Sequence, residues 1–371
     1  MGRRVLITGG AGFIGSHLTE ELIAHGYRVR VLDNLSPRVH GAPRERSIHL
    51  PKQAELCVGD VRSEVDVRRA LTEVDSVVHL AAMVGAPRSM YEVAATTSVN
   101  SLGTAVLMEA LLAHPVERLV VASSTSVYGE GEYIDQDGEV VVGALERSPE
   151  RLRDGNWELR DALGRPLHAI PTREPLAGTP TTVYALSSYD RERMCLVLGL
   201  AYEIPTVVLR IANAYGPRLR LGDPDAGVIA AMASRLFAGA PPLLYEDGLQ
   251  LRDFVDVRDV ARAFRLALEV KVAAGQVFNV GSGEQWTIRD VARRLAVALG
   301  MPLVEPRAPG RYRPGDVRHS FPDIGRALGV LGYRPSVRLP AGLRSLAAWI
   351  EERRSADHGP AVGSSVRGAA S

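Results

Sequence analysis

The chain has 371 residues, enough for two domains, with 46% hydrophobic and 23% charged residues, the make-up of a globular protein with a sizeable core. Its formal net charge is +1, from 44 basic and 43 acidic residues, which gives no electrostatic reason to expect nucleic acid or a membrane surface as a partner. No apolar run approaches the roughly 18 residues of a membrane span, and the two cysteines, Cys57 and Cys195, form no CxxC pair, so a reducing, cytoplasmic setting is expected.

The amino terminus, MGRRVLITGG, is too short an apolar run for a signal peptide. Val5 to Thr8 (VLIT) has the continuous apolar character of a buried strand. Phe13 to Ala24 carries apolar residues at helical spacing, with Gly26 placed to stop the helix. Strands follow at Arg28 to Leu32, Glu55 to Val58, Ser76 to Leu80 and Leu119 to Ala122, separated by helices at about Val65 to Leu71 and Val99 to Leu112. This alternation predicts an α/β fold, a Rossmann-like doubly wound parallel sheet. From Gly129 to Thr182 the periodicity lapses, as in a functional loop or an insertion. It returns with a helix over Tyr184 to Ala201 and a strand over Thr206 to Arg210, and a last helix ends near Arg354. The expected organisation is a cofactor domain over 1–215, with an insertion at 130–182 and a strand and helix at about 254–280 returning to it. A smaller α/β domain spans 216–253 and 281–354, and a disordered tail is expected over 355–371.

Gly9, Gly12 and Gly15 stand in a GxxGxxG spacing between a strand and a helix, the context that makes a glycine motif informative. The first permits a tight turn, the second lets backbone N–H groups approach a pyrophosphate, and the third lets helix and sheet pack closely. The helix start, with Phe13 and Ile14, supplies partial positive charge. Asp33 ends the next strand, where a carboxylate accepts from the adenosine ribose hydroxyls and repels a 2′-phosphate. Asn34 adds no charge for such a phosphate, so NAD is expected over NADP.

The stretches ITGGAGFIGSHL, VLDNLS, GDV, VVHLAA, SSTSVYG, LRIANAYGPR and LRDFVDVRDV together resemble the extended short-chain dehydrogenase/reductase family, over nearly the whole chain. The insertion, with Trp157-Glu158 and the run Pro171 to Glu174, then TPTTVYALS and PPLLYEDGLQLRDFV, is most similar to its NAD-dependent dTDP-sugar 4-epimerases, of the dTDP-L-rhamnose 4-epimerase type. In that type a cysteine pair often follows the tryptophan. Here the segment reads ELRDALG, so no metal is expected. The resemblance implies that Asp60 and Val61 contact the adenine, that Leu80, Ala81, Ala82 and Ser123 line the cofactor cleft, and that Asn100 lies near the active site. It also implies a homodimer, through the helices at Val99 to Leu112 and Tyr184 to Ala201.

By the same resemblance Ser124, with Thr125 beside it, hydrogen-bonds the sugar 4-oxygen, and Tyr184 takes a proton from the C4 hydroxyl. A tyrosine, with a reference pKa near 10, works as a base near neutrality only beside positive charge. The family supplies that charge with a lysine in YxxxK, one helical turn on; here the position, which also meets the nicotinamide ribose, is Ser188. Three readings stand open: Arg191, two turns along the same face, supplies the charge; bound NAD⁺ supplies it; or the tyrosine is weakly activated. Family 4,6-dehydratases carry Asp and Glu after the serine or threonine. Thr125 and Ser126 cannot replace them, which argues against dehydration.

On the nucleotide-sugar side the resemblance assigns Asn213, Arg252 and Arg313 to the pyrophosphate and Asp316 to the ribose. Tyr245 either flanks the base or is a core aromatic. His79, in an apolar strand, reads as a packed core residue. The expected activity is C4 epimerisation of a dTDP-hexose or dTDP-deoxyhexose. A related ketoreductase or other oxidoreductase, and a binding protein with weak or lost turnover, are the alternatives.

Overall fold

The computed structural model describes residues 2–41, 49–141, 147–223, 227–313 and 315–358. The strand Arg4–Thr8 (β1) runs into the helix Phe13–Ala24 (α1) and the strand Arg28–Asp33 (β2). The short helix Pro37–His40 (α2), the strand Glu55–Val58 (β3), the helix Glu64–Leu71 (α3) and the strand Ser76–His79 (β4) follow. Two short helices, Ala86–Ser89 (α4) and Val93–Thr97 (α5), lead through a π-helical stretch at Ser98–Leu102 into Gly103–Ala113 (α6). Then come Arg118–Ser124 (β5) and a 3₁₀ turn at Thr125–Tyr128.

The insertion contains Glu132–Ile134 (β6), Val140–Val141 (β7), Pro149–Arg153 (α7) and His168–Ile170 (β8). Beyond it lie Val183–Ala201 (α8), Thr206–Ile211 (β9), Asn213–Tyr215 (β10), Val228–Phe237 (α9), Leu251–Arg252 (β11), Phe254–Asp256 (β12), Val257–Glu269 (α10), Val277–Val280 (β13), Trp286–Thr287 (β14), Ile288–Ala298 (α11) and Leu339–His358 (α12).

The main sheet has seven parallel strands in the order β13-β9-β5-β4-β1-β2-β3. Strands buried on both faces need no polar alternation, which is why VLIT, SVVH and RLVVASS read as unbroken apolar runs. One apolar layer joins α1 and α10 to the sheet through Leu18, Leu22, Val260 and Phe264. The opposite layer joins α3, α6 and α8 through Val67, Leu107, Leu111 and Cys195. A separate core, with Ile229, Leu236, Val291, Leu295 and Leu343, holds α9, α11 and α12 together. Chain order reverses direction between β1 and β4, so a crevice opens beyond their carboxyl ends, where doubly wound sheets bind ligands.

Two expectations need correction. The last helix runs to His358 rather than ending near Arg354, so the expected tail begins inside it, and residues 359–371 lie outside the described residues. The insertion is not a plain loop: β7-β6-β8 form an antiparallel sheet over Tyr133, Leu159 and Leu167. Strands of two or three residues are too short to show a period in sequence.

Candidate active site

The crevice is built for close backbone approach. Gly9 has φ +71°, and a Cβ there would stand 2.8 Å from the Ala81 backbone, across the gap between β1 and β4. A Cβ on Gly15 would stand 2.5 Å from both the Gly10 Cα and the Gly9 carbonyl oxygen, so α1 could not lie against its own turn. Around Gly12, by contrast, a Cβ would meet only the Gly9 carbonyl oxygen, at 3.3 Å. No side chain caps α1, which leaves the N–H groups of its first turn, at Phe13 and Ile14, open to an anion.

Asp33, at the end of β2, accepts from Ala11 N–H at 3.1 Å and Leu35 N–H at 2.9 Å, and His40 Nε2 lies 3.5 Å away. These contacts fix the carboxylate beside the glycine turn and leave lone pairs for ribose hydroxyls. Asn34 donates to Asp60 at 3.2 Å, and the Arg62 guanidinium holds the Asp60 carboxyl well below the usual range. Val61 is buried against Gly103, where any Cβ would collide with it. These residues fit a dinucleotide: room at the phosphates, donors aimed there and an acceptor at the ribose.

The far wall of the crevice is set by a buried polar chain. Thr8 Oγ1 lies 2.7 Å from His79 Nδ1 and accepts from Ala81 N–H at 3.2 Å. His79 Nε2 lies 3.0 Å from Thr104 Oγ1, which donates to the Asn100 carbonyl at 2.5 Å. Since Thr104 gives its one proton to a carbonyl, Nε2 carries the imidazole proton and Nδ1 accepts from Thr8. Burial pushes His79 down to about 3, so it is neutral. The Asn100 side chain accepts from Met83 N–H and donates to Met83 O and Ser187 Oγ. It therefore clamps the loop that continues from Leu80, Ala81 and Ala82. In sequence His79 looked like a core residue; its hydrogen-bonded role at the crevice was not visible there.

Ser124 ends β5, and its Oγ accepts from Ser126 N–H at 3.2 Å and from Ser126 Oγ at 2.9 Å. Thr125 is buried in the turn that follows. Ser123 donates to Glu192 at 3.0 Å, so its side chain ties β5 to α8. Glu192 in turn forms a buried pair with Arg210, at 2.5 and 3.0 Å. Tyr184 opens α8, its N–H held by Ser89 Oγ at 2.9 Å, a contact with no sequence signal. Ser188 is fully buried and returns its hydroxyl to the Tyr184 carbonyl at 2.8 Å. Arg191, only 2% exposed, reaches the Ala81 carbonyl at 3.4 Å.

On the other side, Arg313 stacks over Tyr245, 3.9 Å from its centroid, and donates to its hydroxyl at 2.6 Å. Asp316 is largely buried, which pushes its carboxyl up, and its carbonyl accepts from Arg147. Arg252 donates to the carbonyls of Leu251, Val317 and Arg318, and so braces the strap that carries Asp316. The Asn213 amide donates to the Asp253 carbonyl at 2.9 Å. Sequence reading missed the buried centre behind this strap, where Arg318 meets Glu158, Glu246 and Asp247, and Arg147 meets Glu246. It joins Glu158 of the insertion to Glu246, Asp247 and Arg318; in sequence its only traces were Trp157-Glu158 and the run PPLLYEDGLQLRDFV. Among the described residues no cluster of His, Cys, Asp and Glu could hold a metal, and no helix is long and apolar enough to cross a membrane.

The sequence matches the NAD dependent epimerase/dehydratase family over residues 5–149 and 162–281. The chain belongs to this family. It is an NAD-dependent enzyme of the extended short-chain dehydrogenase/reductase group. It is 36% identical to a dTDP-L-rhamnose 4-epimerase of Burkholderia thailandensis, over 95% of this chain and 96% of the other. Its fold is similar to that of a UDP-glucose 4-epimerase of Thermotoga maritima solved with UDP-glucose (TM-score 0.77, 29% identity, 95% and 99% of the two chains). It is also similar to the Thermus thermophilus UDP-glucose 4-epimerase solved with NAD (TM-score 0.73, 32% identity, 94% and 99%).

Proposed function

We propose that this enzyme inverts C4 of a dTDP-linked hexose or deoxyhexose by transient oxidation and re-reduction. The observation that carries the reading is the end of β5. Ser124 is followed by Thr125 and Ser126, hydroxyls where elimination of water would need carboxylates, and Tyr184 opens the adjoining helix. That set moves one proton at a carbinol and has no acid–base pair for dehydration. Bound NAD supplies hydride acceptance and return at C4. Ser124 orients the C4 oxygen, and the Tyr184 phenolate oxygen takes the hydroxyl proton and returns it to the same oxygen when the turned 4-keto sugar receives the hydride on its opposite face. Gly9, Gly12, Phe13, Ile14, Gly15 and Asp33 hold the cofactor, with Asp60 and Val61 at the adenine. Arg313 and Tyr245 clasp the nucleotide, with Asn213, Arg252 and Asp316 beside them. The dTDP assignment rests on the Burkholderia relative, whose similarity includes nearly the full chain.

We read the protein as a homodimer through α6 and α8, where Leu186, Val197 and Leu200 are exposed. The free thiols of Cys57 and Cys195 support a cytoplasmic location. The test is incubation with NAD and a panel of dTDP- and UDP-hexoses, with NMR of the C4 configuration. Inversion of a dTDP-sugar without net reduction of NAD supports the reading. Stoichiometric reduction of NAD, or unchanged sugars across the panel, refutes it.

A further inference from the structure

The helix that carries Tyr184 lacks a cation one turn on, and the structure shows what occupies that place. Ser188 is fully buried, and its only hydroxyl proton is committed to the carbonyl of Tyr184 itself. Its small side chain leaves the interior face of α8 free for a longer residue from the next turn. Helical side chains lean toward the amino terminus, so a long residue at 191 covers the turn that precedes it. Arg191 does so: its guanidinium lies in the interior and meets Ala81, on the wall of the cofactor crevice.

The partners of Arg191 are too few for a structural cation. Among the described residues its one hydrogen bond is long, at 3.4 Å, and its buried Nε has no partner. Glu192, the adjacent carboxylate, is taken by Arg210 and Ser123. Cys195, four residues beyond Arg191, is held as a thiol by burial, up to about 12. His79, facing from β4, is neutral, and the Arg191 charge helps keep it so. Burial pushes the guanidinium down, and Tyr184 leads the groups that favour its charge. Buried cations are ordinarily paired. Here the group that becomes an anion in the reaction, and needs a neighbouring cation to do so, is Tyr184.

We propose that Arg191 replaces the lysine of the YxxxK pattern as the positive charge that supports the Tyr184 phenolate, with Ser188 as the small residue that admits it. An arginine suits so deep a seat because it stays charged where a buried lysine readily loses its proton. Arg191 acts through the tyrosine and is a positioning residue. The charge is carried by the protein itself, so it is present whether or not NAD is bound. The proposal rests on Tyr184 being the base of the proposed reaction.

The experiment compares wild type, Arg191→Met, Arg191→Lys and the double variant Ser188→Lys with Arg191→Met. The first readout is the tyrosinate absorbance of each protein minus that of its Tyr184→Phe counterpart, titrated with and without NAD and without substrate. Arg191→Met should move this transition upward by about 1–2 pH units in both states. The double variant should bring it back, and Arg191→Lys should fall between. The second readout is the pH dependence of kcat, whose acid limb should move with the transition and lower the rate near neutrality by about 10- to 100-fold. A transition unmoved in Arg191→Met overturns the proposal. If Arg191→Met does not fold, a double variant titrating as in the wild type supports it, and one titrating higher overturns it. A shifted transition in a protein that leaves every sugar unchanged upholds the role of Arg191 and refutes the epimerase reading instead.

Discussion

Protonation of His79 should weaken the folded state below neutral pH, and the size of the effect follows from its surroundings. The imidazole is fully buried between Thr8 and Thr104, and its single proton is on Nε2 because Thr104 donates elsewhere. Burial lowers its pKa from 6.5 to about 3. The unfolded chain takes up a proton below about 6.5 and the folded chain does not. Stability is therefore full above that value and lost as pH falls toward about 3. The complete shift corresponds to about 5 kcal/mol, of which about 2 kcal/mol is lost between about pH 7 and pH 5. Urea unfolding of wild type and His79→Gln, followed by tryptophan fluorescence at those two pH values, measures it. His17 and His49, which burial also pushes down, contribute to both proteins and cancel in the difference. Wild type should lose about 2 kcal/mol more than the variant. Parallel losses would refute the neutral, single-tautomer chain from Thr8 to Asn100.

Asp33→Ala should weaken NAD binding by roughly 10- to 100-fold, through lost charge-assisted hydrogen bonds, and narrow the preference over NADP; titration calorimetry with both cofactors checks this. Gly15→Ala places a Cβ 2.5 Å from the Gly10 backbone. It should cost about 1–3 kcal/mol and abolish the thermal stabilisation by NAD seen in wild type. Arg318→Met takes the buried guanidinium away from Glu158, Glu246 and Asp247 and leaves Glu246 with Arg147 alone. It should cost about 3–5 kcal/mol by urea unfolding, with part recovered by adding Glu246→Gln.

Legibility followed physical range. The parallel sheet announced itself because strands covered on both faces are apolar throughout, and α1 matched its expected limits because both its turn and its stop are glycines. The glycine turn was equally plain, since Gly9, Gly12, Gly15 and Asp33 lie within one βαβ unit. What stayed hidden depends on partners far apart in the chain. Ser89 holds Tyr184 N–H across 95 residues, and Arg318 meets Glu158 across 160. Neither has a spacing that sequence could show.

Ser188 lies between these cases. Its identity was a local departure from YxxxK, and sequence alone left the missing charge with three answers. What decides between them is depth, which a one-dimensional pattern does not carry. A serine closed on its own helix and an arginine with an unpartnered Nε, both in the interior, are two halves of one substitution. Restoring lysine at 188 while Arg191 remains would put two cations in a seat with a single prospective anion. The single variant Ser188→Lys should therefore be less stable than the double variant in thermal unfolding without NAD, although it alone retains every wild-type contact of Arg191. Equal stability of the two would mean that the two positions do not share one seat.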